Sequence, residues 1–225
     1  LVKIESQQAT LKALQSQINP HFIYNTLESI SMLALIRDNY EIVDMAQAFS
    51  MMMRYSMEPS TLVAVREEVE NVRNFVTIQK IRFPDRFLVE YAIDEECMAE
   101  MIPRLTMQPL VENAFKHGFE DTPEHKRLLV SVLKRRGFLV IRIFNDGMAV
   151  PAERVVRIRE LLMPDNQEET MDCFALRNLS RRLKLLFGGN SQVTLRSGNG
   201  IGTIVSLRIP LRKEGEEDDD KDFDL

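Results

Sequence analysis

"IPRLTMQPLVENAFKHG" (Ile102–Gly118) decides how this chain is read. Leu110, Val111, Ala114 and Phe115 recur at helical spacing and Gly118 supplies a stop, so Arg104–Gly118 is expected to form an amphipathic helix. Its other face is polar. Glu112 precedes Lys116 by four residues and Asn113 precedes His117 by four, so each pair shares one side of the helix. Two readings fit. In the plain one, Glu112 and Lys116 form a surface ion pair of little energetic weight. In the other, the polar face holds a metal–polyphosphate unit, with the Asn113 amide oxygen on Mg2+ and Lys116 near phosphate.

The flanking sequence favours an α/β domain. "RFLVEYAI" (Arg86–Ile93) is rich in strand formers, and "RLLVSVLKRRGFLVIRIFND" reads as two strands around a basic turn, Lys134–Gly137. Pro151–Leu162 is helical, Met163–Asp172 is polar, and Phe174–Phe187 is a helix closed by Gly188-Gly189. Gln192–Arg196 and Thr203–Ile209 are strands joined by the glycine-rich turn Ser197–Gly202. The order β-α-β-β-α-loop-α-β-β implies a sandwich with helices on one face of a mixed sheet. Neither a strand–GxGxxG–helix unit nor GxxxxGK[ST] occurs, which argues against Rossmann and P-loop folds.

Residues 1–83 read as all-helical. Ile4, Leu11 and Ile18 are seven apart, with Leu14 between, a short heptad pattern compatible with a coiled coil. After Pro20, the residues Ile23, Leu27, Ile30 and Ala34 form a buried stripe. Arg37-Asp38-Asn39 is a turn. A second helix runs from about Tyr40 to Met57, Pro59-Ser60-Thr61 breaks it, and a third runs from near Val65 to about Arg82. The fold class is therefore α+β: a helical bundle over 1–83, an α/β sandwich over 84–212 and an acidic tail over 213–225.

The formal charge of −5 resides in that tail. Residues 214–225 hold eight acids and one lysine, net −7, which leaves the rest of the chain near +2. Such a tail reads as a disordered solubilising segment. No basic stripe marks the body, so nucleic acid is not an expected partner. Cys97, Cys173 and three scattered histidines lack metal-ligand spacing, and two distant cysteines fit a reducing compartment. No apolar run approaches 18 residues. The chain opens at Leu1-Val2-Lys3-Ile4 with helical patterning under way, and is read as a piece of a longer protein.

One histidine stands out. In "QSQINPHFIYNTLES" (Gln15–Ser29), Asn19 and Pro20 are residues that start helices, and His21 follows directly. At 100° per residue, His21, Asn25 and Glu28 fall on one face, opposite the stripe of Ile23, Leu27, Ile30 and Ala34. His21 is thus expected to be exposed, with an amide at i+4 and a carboxylate at i+7. Two glycine-bearing segments remain: "IFNDGMAVP" (Ile143–Pro151), a strand ending in a turn, and "GNGIGT" (Gly198–Thr203), a turn or a backbone approaching a ligand.

The order of these words is specific. "LQSQINPHFIYNTLESI", "RYSM", "REEVENVRNFVTIQKIRF", "IPRLTMQPLVENAFKHG", the strand–NDG turn, "ALRNLSRRLKLLFG" and GIGT together resemble the cytoplasmic part of the LytS/YehU/YesM-type sensor histidine kinases, over about residues 8–211. The resemblance implies a dimerisation and phosphoacceptor region followed by an ATP-binding domain of the Bergerat (GHKL) fold. It implies His21 as phosphoacceptor; either Asn25 or Glu28 is expected to hydrogen-bond one ring nitrogen and leave the other free, and Glu112 is expected to take part in catalysis. Asn113 becomes the Mg2+-chelating asparagine. Lys116, His117, Asn145, Asp146, Gly147, Leu176, Gly200, Gly202 and Thr203 become contacts to ATP, and residues 163–175 a lid over it. The implied partners are a second copy, through the N-terminal helices, and a response-regulator receiver domain whose aspartate takes the phosphoryl group. The implied location is cytoplasmic, attached to the plasma membrane through a preceding segment.

Two positions depart from the family pattern. The adenine box Asp-x-Gly-x-Gly is here Asn145, Asp146, Gly147, Met148, Ala149, so an amide replaces the carboxylate that accepts from the adenine amino group. The lid glycines are replaced by Cys173-Phe174-Ala175. Both changes predict weakened nucleotide binding. They keep open an alternative, a non-catalytic dimeric signalling scaffold.

Overall fold

The computed structural model describes residues 20–119, 126–163, 173–198, 200 and 202–211. The expected heptad segment, the acidic tail and residues 164–172 of the expected lid lie outside these, as does the side chain of His117. The chain divides into two compact units. One comprises the residues up to Pro59 together with Glu70–Pro84; the other comprises Ser60–Val69 and the residues from Asp85 onward.

In the first unit, α1 (Pro20–Ile36) and α2 (Tyr40–Met57) form a hairpin. The turn between them follows from its residues. Asp38 adopts the left-handed conformation (φ 54°) that ends α1, and the Asn39 side chain accepts from Ile42 N at 3.2 Å to cap α2. Arg54 stacks over the Tyr24 ring, 5.4 Å from its centroid, and Tyr24 Oη donates to Met57 Sδ at 3.7 Å. The packed side of α1 carries Tyr24, Leu27, Ser31 and Ala34, so Leu27 and Ala34 of the expected stripe are on it, Ile23 is half-buried and Ile30 is not. Ile30 is 43% exposed; among the described residues α1 packs chiefly on α2, whose small Ala46 and Ala48 are buried. Glu28 is exposed but borders the α1–α2 groove, so it does not lie opposite the packed face.

The all-helical expectation for residues 1–83 also needs correction. A three-residue strand, β1 (Leu62–Ala64), precedes α3 (Val65–Arg82) and pairs antiparallel with β3 (Met101–Pro103). Extended backbone suits the Leu-Val pair, and the pairing leaves Val63 and Ile102 buried.

The second unit is a five-stranded sheet. Its order is β2 (Phe87–Ile93), β4 (Lys126–Arg135), β5 (Phe138–Asn145), β7 (Gly202–Pro210), β6 (Gln192–Gly198). Only β2–β4 is parallel; the other pairs are antiparallel. The β4–β5 turn narrows to Arg136-Gly137, both at positive φ, as a two-residue hairpin with the right-handed strand twist requires. Alternation sets the inner face: Leu128, Val130 and Val132 face the same side as Ile141, Ile143, Val205 and Leu207. Three helices bury their apolar stripes there: α4 (Gln108–Ala114), α5 (Ala152–Leu161) and α6 (Phe174–Phe187). No helix among the described residues is long and apolar enough to cross a membrane.

Arg104–Gly118 is not one helix. Leu105 takes a left-handed backbone (φ 56°) that no helix can run through, so α4 starts at Gln108 with Pro109 in its first turn. After Ala114 the chain widens into a π-turn, Phe115–Phe119.

Candidate functional site

A cavity of about 600 Å3 opens in the second unit between the sheet's inner face, α4, the loop after β5, α5 and the start of α6. Asn113, Lys116, Asn145, Leu176 and Thr203 line it. Asn145 is the last residue of β5 and sits opposite Thr203 of β7. Its neighbours in the wall include Ile143, Leu195 and Val205. Lys116 and Arg154 are exposed at the rim, and Asn113 is half-buried. The cavity thus has an apolar depth with one amide in it, and a polar, cationic mouth.

That amide is the polar group set deepest in the cavity wall. Asn145 is 5% exposed, and its side chain has no hydrogen-bond partner among the described residues. A polar ligand edge in the cavity would satisfy it.

Bare backbone packs around Asn145. A Cβ on Gly202 (φ 84°) would fall 2.1 Å from Asn145 O, and one on Gly147 would fall 2.0 Å from Gly118 O. Met148 N donates to Gly118 O at 3.1 Å, so the π-turn and the loop after β5 are tied directly. Asp146 does not line the cavity. Its Oδ1 accepts from Arg127 N at 2.6 Å while its own N–H donates to Arg127 O at 3.1 Å, which locks the turn onto β4. Gly147, Gly200 and Gly202 also lie outside the cavity wall. The first and last shape it from behind.

The π-turn changes the polar face of α4. Glu112 Oε1 accepts from Gln108 Nε2 at 2.6 Å, and no Glu112–Lys116 ion pair forms among the described residues. The wider turn takes the i,i+4 partners out of register. Phe115 and Phe119 meet Phe87 of β2, with centroids 4.6 and 6.1 Å away, which fixes the turn on the sheet edge. Lys116 is left at the rim and Glu112 outside the wall.

Sequence reasoning missed Ser197. Its Oγ accepts from Val150 N at 2.9 Å, donates to Gly202 O at 3.1 Å and lies 2.7 Å from Thr203 Oγ1. It pins the loop after β5 to β7 and engages the Thr203 hydroxyl. A serine in a glycine-rich hairpin carries no local signal for that role. Cys173, which lines the cavity at the head of α6, has φ 59°. The position where the resemblance expects glycine therefore holds a residue in a glycine-type conformation.

The first unit carries the other candidate. His21 and Asn25 are exposed on α1, with Asn25 Nδ2 3.2 Å from His21 Nδ1. A half-turn of the amide exchanges its two ends, so either the oxygen or the nitrogen of Asn25 can face the ring.

A mixed sheet with helices on one face and a cavity between them defines an α/β sandwich. Two family models match the chain: histidine kinase over residues 9–87, and histidine kinase-, DNA gyrase B- and HSP90-like ATPase over residues 99–213. The chain belongs to the histidine kinase family, and its second unit is an ATPase domain of that group. It is 32% identical over 214 residues to the sensor protein LytS of Staphylococcus saprophyticus, covering 94% of this chain and 35% of that protein. It is 33% identical over 209 residues to the sensor histidine kinase YesM of Bacillus subtilis, covering 92% and 34%. The chain spans about a third of the length of these curated relatives. Among solved structures, the histidine kinase domain of the blue-light activated histidine kinase EL346 of Erythrobacter litoralis aligns with a TM-score of 0.46 at 15% identity, over 85% of this chain and 94% of that one.

Proposed function

We propose that this chain is the kinase portion of a two-component sensor: it moves the γ-phosphoryl group of Mg-ATP to His21, and from there to an aspartate on a response-regulator receiver domain. The observation that carries the reading is the exposed His21–Asn25 pair. An imidazole nitrogen is nucleophilic only when it holds a lone pair. With the Asn25 amide turned so that its Oδ1 accepts a hydrogen bond from Nδ1–H, the lone pair is on Nε2, which points away from the amide. Nε2 then attacks the γ-phosphorus, the bond to the β–γ bridging oxygen breaks, and ADP leaves with that electron pair.

In the cavity, the buried Asn145 amide, packed from behind by the bare backbone of Gly147 and Gly202, fits the polar edge of a nucleotide base. Asn113 offers an amide oxygen to Mg2+, and Lys116 offers charge to phosphate at the mouth. The first unit leaves Phe22, Met32, Leu35 and Ile36 (77%) exposed on α1 and Phe49 exposed on α2. A second copy pairing through these helices would cover them, so the working state in this reading is a homodimer.

The test is labelling with γ-32P-ATP and Mg2+. An acid-labile phosphoprotein that disappears in both His21→Ala and Asn113→Ala supports the reading. Equal labelling of His21→Ala removes His21 as acceptor. A second reading, a scaffold that binds nucleotide weakly and transfers nothing, draws on Cys173 at a left-handed position. A folded dimer that takes no label at saturating ATP favours it.

A further inference from the structure

We propose that Asn145 makes this cavity accept 6-oxopurine nucleotides alongside 6-aminopurine ones, an inference that rests on the cavity being the ATP site. A purine is a flat apolar ring with a polar edge, and a triphosphate is a dense anion. The cavity separates the two requirements. Ile143, Leu195 and Val205 wall the part where Asn145 is buried, while Lys116 and Arg154 are exposed at the mouth. The base therefore belongs at Asn145 and the phosphates toward Lys116.

The chemistry of the amide sets what base it reads. Adenine presents an N6–H donor beside the N1 acceptor; hypoxanthine and guanine present an O6 acceptor beside the N1–H donor. A side-chain amide holds one acceptor and one donor group side by side and pairs with either edge after a half-turn of its plane. A carboxylate in the same place holds acceptors only, and would turn lone pairs toward O6.

Nothing around Asn145 fixes which end of the amide faces the ligand. Its side chain has no hydrogen-bond partner among the described residues. The nearest element on the Nδ2 side is Gly118, where a Cβ would stand 2.4 Å away; the bare backbone leaves room for either end. Thr203, the cross-strand neighbour, has its hydroxyl engaged by Ser197 at 2.7 Å. The base edge is left to Asn145.

Inosine diphosphate isolates the exchange, because it differs from ADP only at position 6 and the N1 proton. Titration calorimetry of the full 225-residue chain with Mg2+ is compared for ADP and IDP, in the wild type, Asn145→Asp and Asn145→Ala. The wild type is expected to bind IDP within about tenfold of ADP, the scale of one neutral hydrogen bond. Asn145→Asp is expected to keep ADP and to weaken IDP by about 100-fold or more. Asn145→Ala is expected to weaken both by a similar factor, which keeps the test informative if the aspartate variant misfolds. A wild type preferring ADP over IDP by more than about 100-fold overturns the inference while leaving the ATP reading intact, as does an unchanged ratio in Asn145→Asp. Absence of heat with both nucleotides overturns the inference and the ATP reading together.

Discussion

Glu68 of α3 and Met107, at the start of α4, are joined by a 2.6 Å hydrogen bond from the Met107 N–H to the Glu68 carboxylate. The same fully buried carboxylate accepts from Leu105 N at 2.6 Å and Thr106 N at 2.9 Å. Arg182 of α6 holds the other side of that turn, donating to Leu105 O at 3.0 Å. The left-handed Leu105 is thus gripped from two helices, and with it the end of the helix that bears Asn113. Glu68→Gln would place an NH2 group where backbone N–H groups converge. It is expected to lower stability to urea by about 2–3 kcal/mol, since hydrogen bonds to a charged acceptor are lost in a buried setting. Glu68→Asp should recover part of the loss, and Gln matching the wild type would assign the carboxylate no special part.

The 3.2 Å approach of Asn25 to His21 makes a separate kinetic statement. If the amide selects the ring tautomer, Asn25→Ala lowers the rate of His21 labelling by about 10–100-fold, the range of general acid–base and positioning effects. The KM for ATP should stay put, because the pair lies on a helix of the first unit and the cavity lies in the second. Steady-state labelling over a range of ATP concentrations separates the two parameters. A rise in KM alone would contradict the tautomer role.

Local pattern carried much of this fold. The expected ranges of α2, α3 and α6 and of the β4–β5 hairpin agree with the structure, because apolar spacing, caps and a glycine turn act over a few residues. What failed depended on distant partners. β1 is three residues long and exists through β3, and the π-turn is held by Phe87 of β2. Ile30 misled because a stripe on a wheel does not say which side finds a neighbour. At the site, Asn113, Lys116, Asn145, Leu176 and Thr203 were legible and share one cavity. Asp146, expected at the nucleotide, and Glu112, expected in catalysis, do not line that cavity, and their side chains are held by Arg127 N–H and Gln108. Glu68 and Ser197 carried no local sign, being defined by what they touch.

The two cysteines should react differently. Cys97 is fully buried, and desolvation, with Asp94 nearby, raises its thiol above the ordinary range. A raised thiol pKa leaves little thiolate at pH 8, and burial denies access as well. Cys173 is partly exposed and lines the cavity. Iodoacetamide at pH 8 is expected to modify Cys173 first, with mass spectrometry locating the adduct, and Mg-ADP should slow that reaction at least several-fold. Equal rates with and without nucleotide would place the ligand elsewhere.

Gly147 and Gly202 give the sharpest structural test of the cavity. A methyl group at either would strike backbone atoms, Gly118 O at 2.0 Å or Asn145 O at 2.1 Å, and backbone in a sheet or a tied turn cannot step aside as a side chain can. Gly188 is the control, at φ 76° with nothing within 4 Å of its missing Cβ. Gly188→Ala meets no neighbouring atom but places alanine at φ 76° and ψ −177°, a region essentially reserved to glycine, so it carries a backbone cost of about 1–3 kcal/mol away from the cavity and should leave ADP affinity unchanged. Gly147→Ala and Gly202→Ala should each force Asn145 or the π-turn to shift, and lower ADP affinity by about tenfold or more beyond any stability loss. Calorimetric titration at a temperature where all three variants stay folded reads the difference. If both keep wild-type affinity, the close packing of Gly118, Asn145 and Gly202 shapes the fold and leaves the ligand indifferent.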